Sequence, residues 1–312
     1  MILEYQLQFH SPLVGTLDSD MIMGSMAWAL LRCEGEQALQ SWIDMCKQGN
    51  PPFVVSNGFP TGFFPKPMIP FRKKEQPLHK QEQIKEARTN KKLKARKWVS
   101  TNLFYEMLNG TFVQMPGMDE PRDFIGQQIH AIIDRTTGTS LTEGGLYETS
   151  YRWFSMNISL YFQIFDLSWE NRIDDLMKYL EYEGIGAKKS IGYGRFRIIT
   201  KQHMQVRRIN NPNGFVVLSH FVPSRDDSTN GFYKIKTKYG RLGEEFSKGV
   251  SVNPFKKPIL MIEHGACFYT QKPQKFCGRI LSNISFNHTD KVVQMCYGFI
   301  MPARLPIIDG NL

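Results

Sequence analysis

Paired cysteines, catalytic glycine motifs and long apolar runs are all missing from this chain. Its five cysteines (Cys33, Cys46, Cys267, Cys277 and Cys296) form neither a Cys-x-x-Cys pair nor a Cys/His ladder at zinc spacing. They read as reduced packing residues, and no metal centre is expected. His264 and Cys267 lie close together in sequence but have no second ligand pair beside them. A Walker loop, a dinucleotide-binding glycine fingerprint, a Gly-x-Ser-x-Gly elbow and a His-Glu-x-x-His helix are also absent, so no cofactor is indicated. No run approaches the roughly 20 apolar residues of a bilayer span, and polar residues interrupt Met1 to Phe9, unlike a secretory signal. The expectation is a soluble, cytoplasmic protein without membrane contact. No fixed-period repeat of the solenoid kind is present.

What is present is size, ordinary polarity and an uneven positive charge. The 312 residues suggest two domains at about 150 residues each. Apolar residues make up 41% and charged residues 22%, enough for a packed core. The net charge is +10, which favours a polyanionic partner. Between Arg72 and Trp98 there are eleven basic residues against three glutamates, so that segment carries +8 and the remainder only +2. Two readings stand: a solvated helical face with local ion pairs around Glu82, Lys85 and Glu86, or a phosphate-tracking arm. The concentration at Lys91, Lys92, Lys94, Arg96 and Lys97, just before apolar Trp98 to Phe104, favours the arm.

Periodicity outlines an α+β chain. Leu3, Tyr5, Leu7 and Phe9 alternate with polar residues, predicting a strand with one buried face. Asp18-Ser19-Asp20 supplies N-cap chemistry for a helix that runs to Gly35, with Gly24 costing stability unless something packs closely against it. Pro51 to Phe71 holds six of the 17 prolines, interleaved with Phe53, Phe59, Phe63, Phe64 and Phe71. That spacing predicts extended segments whose rings need a cover, either the protein's own body or a protein partner. Strands are predicted over 128–134, 146–154 and 156–164, then a helix from Trp169 to Glu183 capped by Ser168 and stopped by a left-handed Gly184, then a strand over 197–200. Strand, helix, strands, helix, strand fits a ferredoxin-like domain. Asn210 to Gly214 reads as a hinge, and short strands follow it. The organisation expected is an N-terminal domain over 1–209 and a second over 210–312.

One segment carries chemistry. Gly184, Gly186, Gly192 and Gly194 surround Lys188, Lys189 and Ser190 between a helix and a strand. Glycine permits positive φ and close approach, so N–H groups can converge on phosphate oxygens while lysines add charge. The plainer alternative is that Gly184 caps the helix and Gly192 and Gly194 ease packing.

The stretch Gly184-Ile-Gly-Ala-Lys-Lys-Ser-Ile-Gly-Tyr-Gly-Arg-Phe196 resembles the glycine-rich loop of the RAMP superfamily of CRISPR proteins. Three further segments narrow the resemblance to the family of fourth Csm subunits of type III-A effectors: Asp18-Ser-Asp20 leading into Gly24 to Trp28, Ile133 to Thr139 followed by Gly145-Leu-Tyr147, and Lys91 to Ser100. The likeness covers residues 1 to about 200 well. The C-terminal third matches loosely, through Glu263 to Phe268 and Tyr297 to Phe299. One departure is Val14, where relatives often carry a polar residue or histidine.

This resemblance implies two ferredoxin-like, RRM-related domains and a non-catalytic capping subunit that grips the 5′ handle of the CRISPR RNA. It implies partners in the large polymerase-like subunit and a RAMP backbone subunit, with target RNA met indirectly, and a projecting hairpin around Asp134 to Gly145. The candidate RNA-binding residues are Gly184, Gly186, Lys188, Lys189, Ser190, Gly192, Gly194 and Arg195 on the loop. Arg135, Thr136 and Arg152 are candidates on the hairpin, and Lys91, Lys92 and Lys94 on the arm. A rival reading is a RAMP-type endoribonuclease that processes precursor CRISPR RNA, with His10 as general base. Asp18 and Asp20 resemble the loop aspartates that cut target RNA, but capping is the simpler account. A general single-strand RNA binder using Tyr193, Phe196 and Trp98 is the third reading.

Overall fold

The computed structural model of the chain describes residues 1–69, 79, 88, 91, 95–111, 120–140, 145–243, 246, 253–287 and 292–306. Most of the basic segment 72–98, including Lys92 and Lys94, and Phe71 therefore lie outside the described residues. The first half contains β1 (Ile2–Phe9), α1 (Ser19–Glu34), α2 (Glu36–Lys47), β2 (Phe53–Val55), β3 (Phe59–Pro60), β4 (Phe63–Pro65), β5 (Trp98–Ser100), α3 (Thr101–Leu108), β6 (Phe124–Ala131), β7 (Leu146–Trp153), β8 (Ile158–Ile164), α4 (Trp169–Glu183) and β9 (Phe196–His203). The central sheet has the order β2-β8-β1-β9, every neighbour antiparallel, with β3 also on β8. β1-α1-β2 and β8-α4-β9 are thus two split β-α-β units interleaved in one sheet.

The period-two pattern of β1 proved to have both faces covered. Tyr5 meets Phe162 edge-on and its hydroxyl donates to Asp174 on α4, so α1 and α4 lie on that side. The other side holds Glu4, which is buried and accepts from Ser159 Oγ (2.7 Å) and Gln202 Nε2 (2.7 Å). Its cover is the Pro/Phe segment. Phe64 stacks on Tyr161 (5.2 Å) and on Phe104 of α3 (4.5 Å) and Phe59 packs beside Trp98 and Tyr161, whereas Phe53 faces the helices against Trp42 and Trp169; all three are fully buried. The prolines limit β2, β3 and β4 to two or three residues each, and the rings pack on the chain's own sheet. Of the two expected covers, Phe53, Phe59 and Phe64 use the protein's own body, and Phe63 is half-buried.

Local capping chemistry also differs from expectation. Ser168 stands at the start of α4 without capping it, because its hydroxyl bonds Asp166 Oδ1 (2.8 Å). Gly184 ends α4 at φ 89° but with ψ 170°, an extended rather than left-handed helical value. Asp18 sits at the N-cap position of α1 with its carboxylate turned elsewhere. Helix α2 was not anticipated, since Gly35 reads as a stop. Its backbone (φ 87°, ψ 179°) instead kinks the chain between two helices. A Cβ built on Gly24 meets nothing within 4 Å, so no close packing offsets its helical cost. Gly24→Ala is expected to raise stability by about 0.5–1 kcal/mol, read as an upward shift in the denaturation midpoint.

The second half holds β10 (Gly214–Val217), β11 (Gly231–Phe232), β12 (Ile235–Lys238), β13 (Ile259–Ile262), β14 (Cys267–Tyr269), β15 (Cys277–Leu281), β16 (Gln294–Gly298) and β17 (Ile300–Ala303). They form a four-stranded sheet, β11-β14-β10-β17, and the ribbons β12-β13 and β15-β16. Among the described residues after 209, no element is an α-helix. Asn210 to Gly214 joins two packed halves: Val216, Leu218, Met295, Tyr297 and Phe299 belong to the same buried cluster as Leu7, Trp42 and Phe104. Backbone bonds also cross the junction, from Asn57 N to Leu218 O (2.9 Å) and Arg304 N to Leu108 O (2.7 Å).

Candidate nucleic-acid interface

The glycine-rich loop is built by the end of α4, the start of β9 and the segment after β1. Ile185 N donates to Gly194 O (3.0 Å), Gly194 N to Pro12 O (2.9 Å) and Arg195 N to Ser11 Oγ (2.8 Å). Val14, the departure from the family pattern, bridges Ala187. Gly194 is required sterically: its φ is +69° and a Cβ there would lie 1.8 Å from Ile185 O. Gly186 also has positive φ, and a Cβ would press on Leu13 Cδ1 at 2.7 Å. The amides of Gly184, Gly192 and Gly194 donate to Leu180, Lys189 and Pro12 carbonyls. Gly184, Gly186 and Gly194 therefore shape the loop by close approach and Gly192 by its positive φ alone, and the amides of Gly184, Gly192 and Gly194 are used within the protein.

Lys188 adopts a left-handed conformation (φ 60°, ψ 29°) at the crest of this loop, followed by a single 3-10 turn over Lys189–Ile191. Its ammonium donates to Thr149 Oγ1 on β7 and lies 4.5 Å over the Tyr147 ring. Tyr193 OH donates to Gln128 Oε1 on β6 (2.5 Å). Paired residues Gln128↔Thr149 and His130↔Tyr147 share one face of the β6–β7 hairpin, and His130 stacks on Tyr147 (5.1 Å). Loop and hairpin thus form one continuous surface. Sequence reasoning missed Tyr147, Thr149, Gln128 and His130 as its members. Period-two alternation along two paired strands would have put them on a common face once the register was known.

The remaining candidates are placed less evenly. Lys189 is 3.1 Å from Glu183 Oε1, a carboxylate that also pairs with Arg32. Burial pushes the Glu183 carboxyl up, but Lys189 and Arg32 overcome this and hold it below its ordinary range. Ser190 is exposed, and Arg195 Nη1 donates to Tyr182 O (2.8 Å). On the hairpin, Arg135 is exposed in a turn where the Thr136 hydroxyl and amide donate to Asp134 Oδ1 (2.6 and 2.8 Å). Those bonds depress the Asp134 carboxyl. Arg152 is half-buried and pairs with Asp123 (3.2 Å). Lys91 is exposed. Arg152 also ties the hairpin to the segment after β1 through an antiparallel bridge with Leu13 (2.8 Å in both directions), and the hairpin leaves Ile125, Ile129 and Leu146 largely exposed.

Two assemblies containing a similar chain decide the fold. A chain in the crystal structure of a Csm1–Csm4 cassette in complex with cA4 superposes with a TM-score of 0.61 at 13% identity, over 98% of this chain and 99% of that one. A chain in the Csm3–Csm4 subcomplex of the type III-A CRISPR-Cas interference complex gives 0.62 at 14% identity, over 97% and 100%. Csm4 is the component the two share. The chain has the Csm4 fold. A curated Csm4 of the CRISPR system of Streptococcus thermophilus is 27% identical over 191 residues, which is 59% of this chain and 58% of that protein. The match therefore spans less than two thirds of that relative. No family model matches the chain. The resemblance to the fourth Csm subunit thus holds in both sequence and fold, and the chain mixes helices with antiparallel sheets as expected.

In this Csm4-like chain Asp18 and Asp20 are engaged by cations of the second half. Asp18 is buried and takes Lys238 Nζ (3.0 Å), Lys236 Nζ (3.7 Å) and Thr16 Oγ1 (2.7 Å), with His220 Nδ1 3.4 Å away. Burial raises its carboxyl, but His220 and Lys238 outweigh that and leave it far below the usual carboxylate range. Asp20 pairs with Lys238 and accepts from Gln294 Nε2 (2.9 Å). His264 lies 3.0 Å from both Asn57 Nδ2 and His220 Nε2, and burial followed by the neighbouring imidazole lowers its pKa to about 3. His264 and Cys267 belong to no metal-ligating cluster among the described residues. No helix among the described residues is long and apolar enough to cross a membrane.

Proposed function

We propose that this chain is the non-catalytic Csm4 subunit of a type III-A CRISPR effector in the cytoplasm, and that its loop and hairpin grip the 5′ handle of the CRISPR RNA. The observation that carries the reading is Lys188: a left-handed residue at the loop crest whose ammonium reaches the aromatic and hydroxyl face of the hairpin. Such a surface offers a cation for phosphate and rings for bases. Exposed Arg135, Ser190 and Arg195 extend it, with Lys91, Lys92 and Lys94 supplying further phosphate contacts from the arm. In this reading the chain bridges the large subunit and a RAMP backbone subunit and meets target RNA only through them. The sheet order supports a ferredoxin-like N-terminal domain over 1–209, with 210–312 as the second domain.

A binding role fits the placement of the acids and histidines better than cleavage. Asp18 and Asp20 are held by Lys238 inside the protein. His10 is exposed, and among the described residues no carboxylate or imidazole is hydrogen-bonded to it. The test uses the full chain with repeat-derived RNA. Lys188→Ala is expected to weaken binding about tenfold and to lower the slope of log affinity against log salt by about 0.7, the value for one single-strand phosphate contact. Lys189→Ala is expected to do less, because Glu183 already neutralises that ammonium. Cutting of the RNA by the isolated chain, lost in His10→Ala, would establish the nuclease instead. Equal affinity for handle and unrelated RNA would establish a general single-strand binder.

A further inference from the structure

The ribbon β12–β13 has an inward side that the fold already uses. Lys236 and Lys238 turn to Asp18 and Asp20, and Ile259 and Met261 are buried in an apolar cluster. Alternation puts Ile235, Thr237, Tyr239 and Arg241 on the opposite side. The register sets Leu260 beside Thr237, and Phe255 bridges Arg241. On that outward side Ile235 is 62% exposed, Tyr239 76%, Phe255 57% and Leu260 64%. Isolated exposed apolar residues are ordinary, but four large ones on one side of a single ribbon form a patch.

We propose that this outward side, centred on Ile235, Tyr239, Phe255 and Leu260, docks a neighbouring protein subunit through an apolar surface rimmed by carboxylates. Charge selects the occupant. Residues 231–241 and 253–262 carry six lysines and arginines and no Asp or Glu, so a second copy of this chain would bring like charge against like charge. RNA fits less well. Ile235 and Leu260 have no π face for a base to stack on, and three of the six cations face inward, Lys236 and Lys238 toward Asp18 and Asp20 and Lys256 toward Gln294 (2.9 Å). Arg241 lies over the Phe255 ring (6.0 Å) and Lys257 bonds Asn283 Oδ1 (3.0 Å), placing positive charge around the apolar centre rather than within it. An apolar centre with aromatics and arginine, surrounded by a polar rim, is the composition of a protein interface.

That the occupant is an effector subunit rests on the Csm4 reading above. The test co-expresses the full chain with the large subunit, the backbone subunit and guide RNA, comparing wild type with Ile235→Asp/Leu260→Asp. Both side chains are exposed, so melting temperature and RNA affinity should stay at wild-type values while co-purification of one protein subunit falls at least tenfold. Arg241→Glu/Lys257→Glu should weaken the same contact and flatten its salt dependence. Recovery of every component at wild-type levels with the aspartate variant would overturn the docking surface. So would lost RNA affinity with both proteins retained, which assigns the patch to RNA, or dimerisation of the wild type that the variant abolishes, which assigns it to a second copy. Failure of the unmodified chain to join either subunit would instead overturn the Csm4 reading and, with it, this choice of occupant.

Discussion

Gly194→Ala is expected to cost about 3 kcal/mol and to remove RNA binding more completely than any single lysine substitution. Two penalties add. The backbone at Gly194 has φ +69°, which costs an L-residue about 1–2 kcal/mol. The new Cβ would also fall 1.8 Å from Ile185 O, and relieving that overlap costs about 1–3 kcal/mol more. The shift that relieves it breaks the Ile185 N to Gly194 O bond and displaces Tyr193 from Gln128, separating the loop from the hairpin. Gly192→Ala is the control: its φ is +94° but its Cβ direction is open, so only the conformational penalty applies. Melting and RNA-binding curves for both variants check this. A Gly194→Ala protein that melts and binds like Gly192→Ala would show that the close approach to Ile185 carries no weight.

Asp18→Ala is expected to destabilise the chain by about 1–3 kcal/mol, the usual cost of removing one partner from a buried polar cluster. His220 would lose the carboxylate it faces and Lys238 would keep only Asp20, at the junction where α1 meets the second half. Asp18→Asn keeps the shape without the charge and should recover part of the loss, read by denaturant unfolding. The same cluster makes stability acid-sensitive. His264 is held neutral with a folded pKa of about 3 against 6.5 for a free imidazole, so the unfolded chain binds more protons below 6.5 and stability falls as pH drops from about 6.5 toward 3. Asp18 has a folded pKa below its unfolded value. Its contribution is complete above about pH 4 and is lost as pH falls further. Denaturation midpoints that stay level from pH 7 to pH 4 would contradict the buried placement of His264.

The glycine loop, the Trp169–Glu183 helix and strands β1, β8 and β9 of the central sheet were legible in the chain itself. Their signals are local: a 3.6-residue apolar stripe, period-two alternation and a glycine cluster each act over a dozen neighbouring residues. Helix α2 escaped because Gly35 reads as a terminator, whereas its positive φ lets one helix turn directly into the next. The Pro/Phe segment was read correctly as extended, yet its cover lay with Tyr161 and Phe104, 97 and 40 residues beyond Phe64.

Local order along the chain settled which segments turn into helices, strands and a tight glycine bend, because backbone preference and side-chain spacing act between near neighbours. Three-dimensional packing alone settled the fate of each charge. Lys188 reaches Thr149 across 39 positions, Lys189 is claimed by nearby Glu183, and Asp18 meets Lys238 across 220. A charge is freed or neutralised by whatever the folded chain places within a few ångströms, and for Asp18 and Lys188 those partners come from distant parts of the sequence.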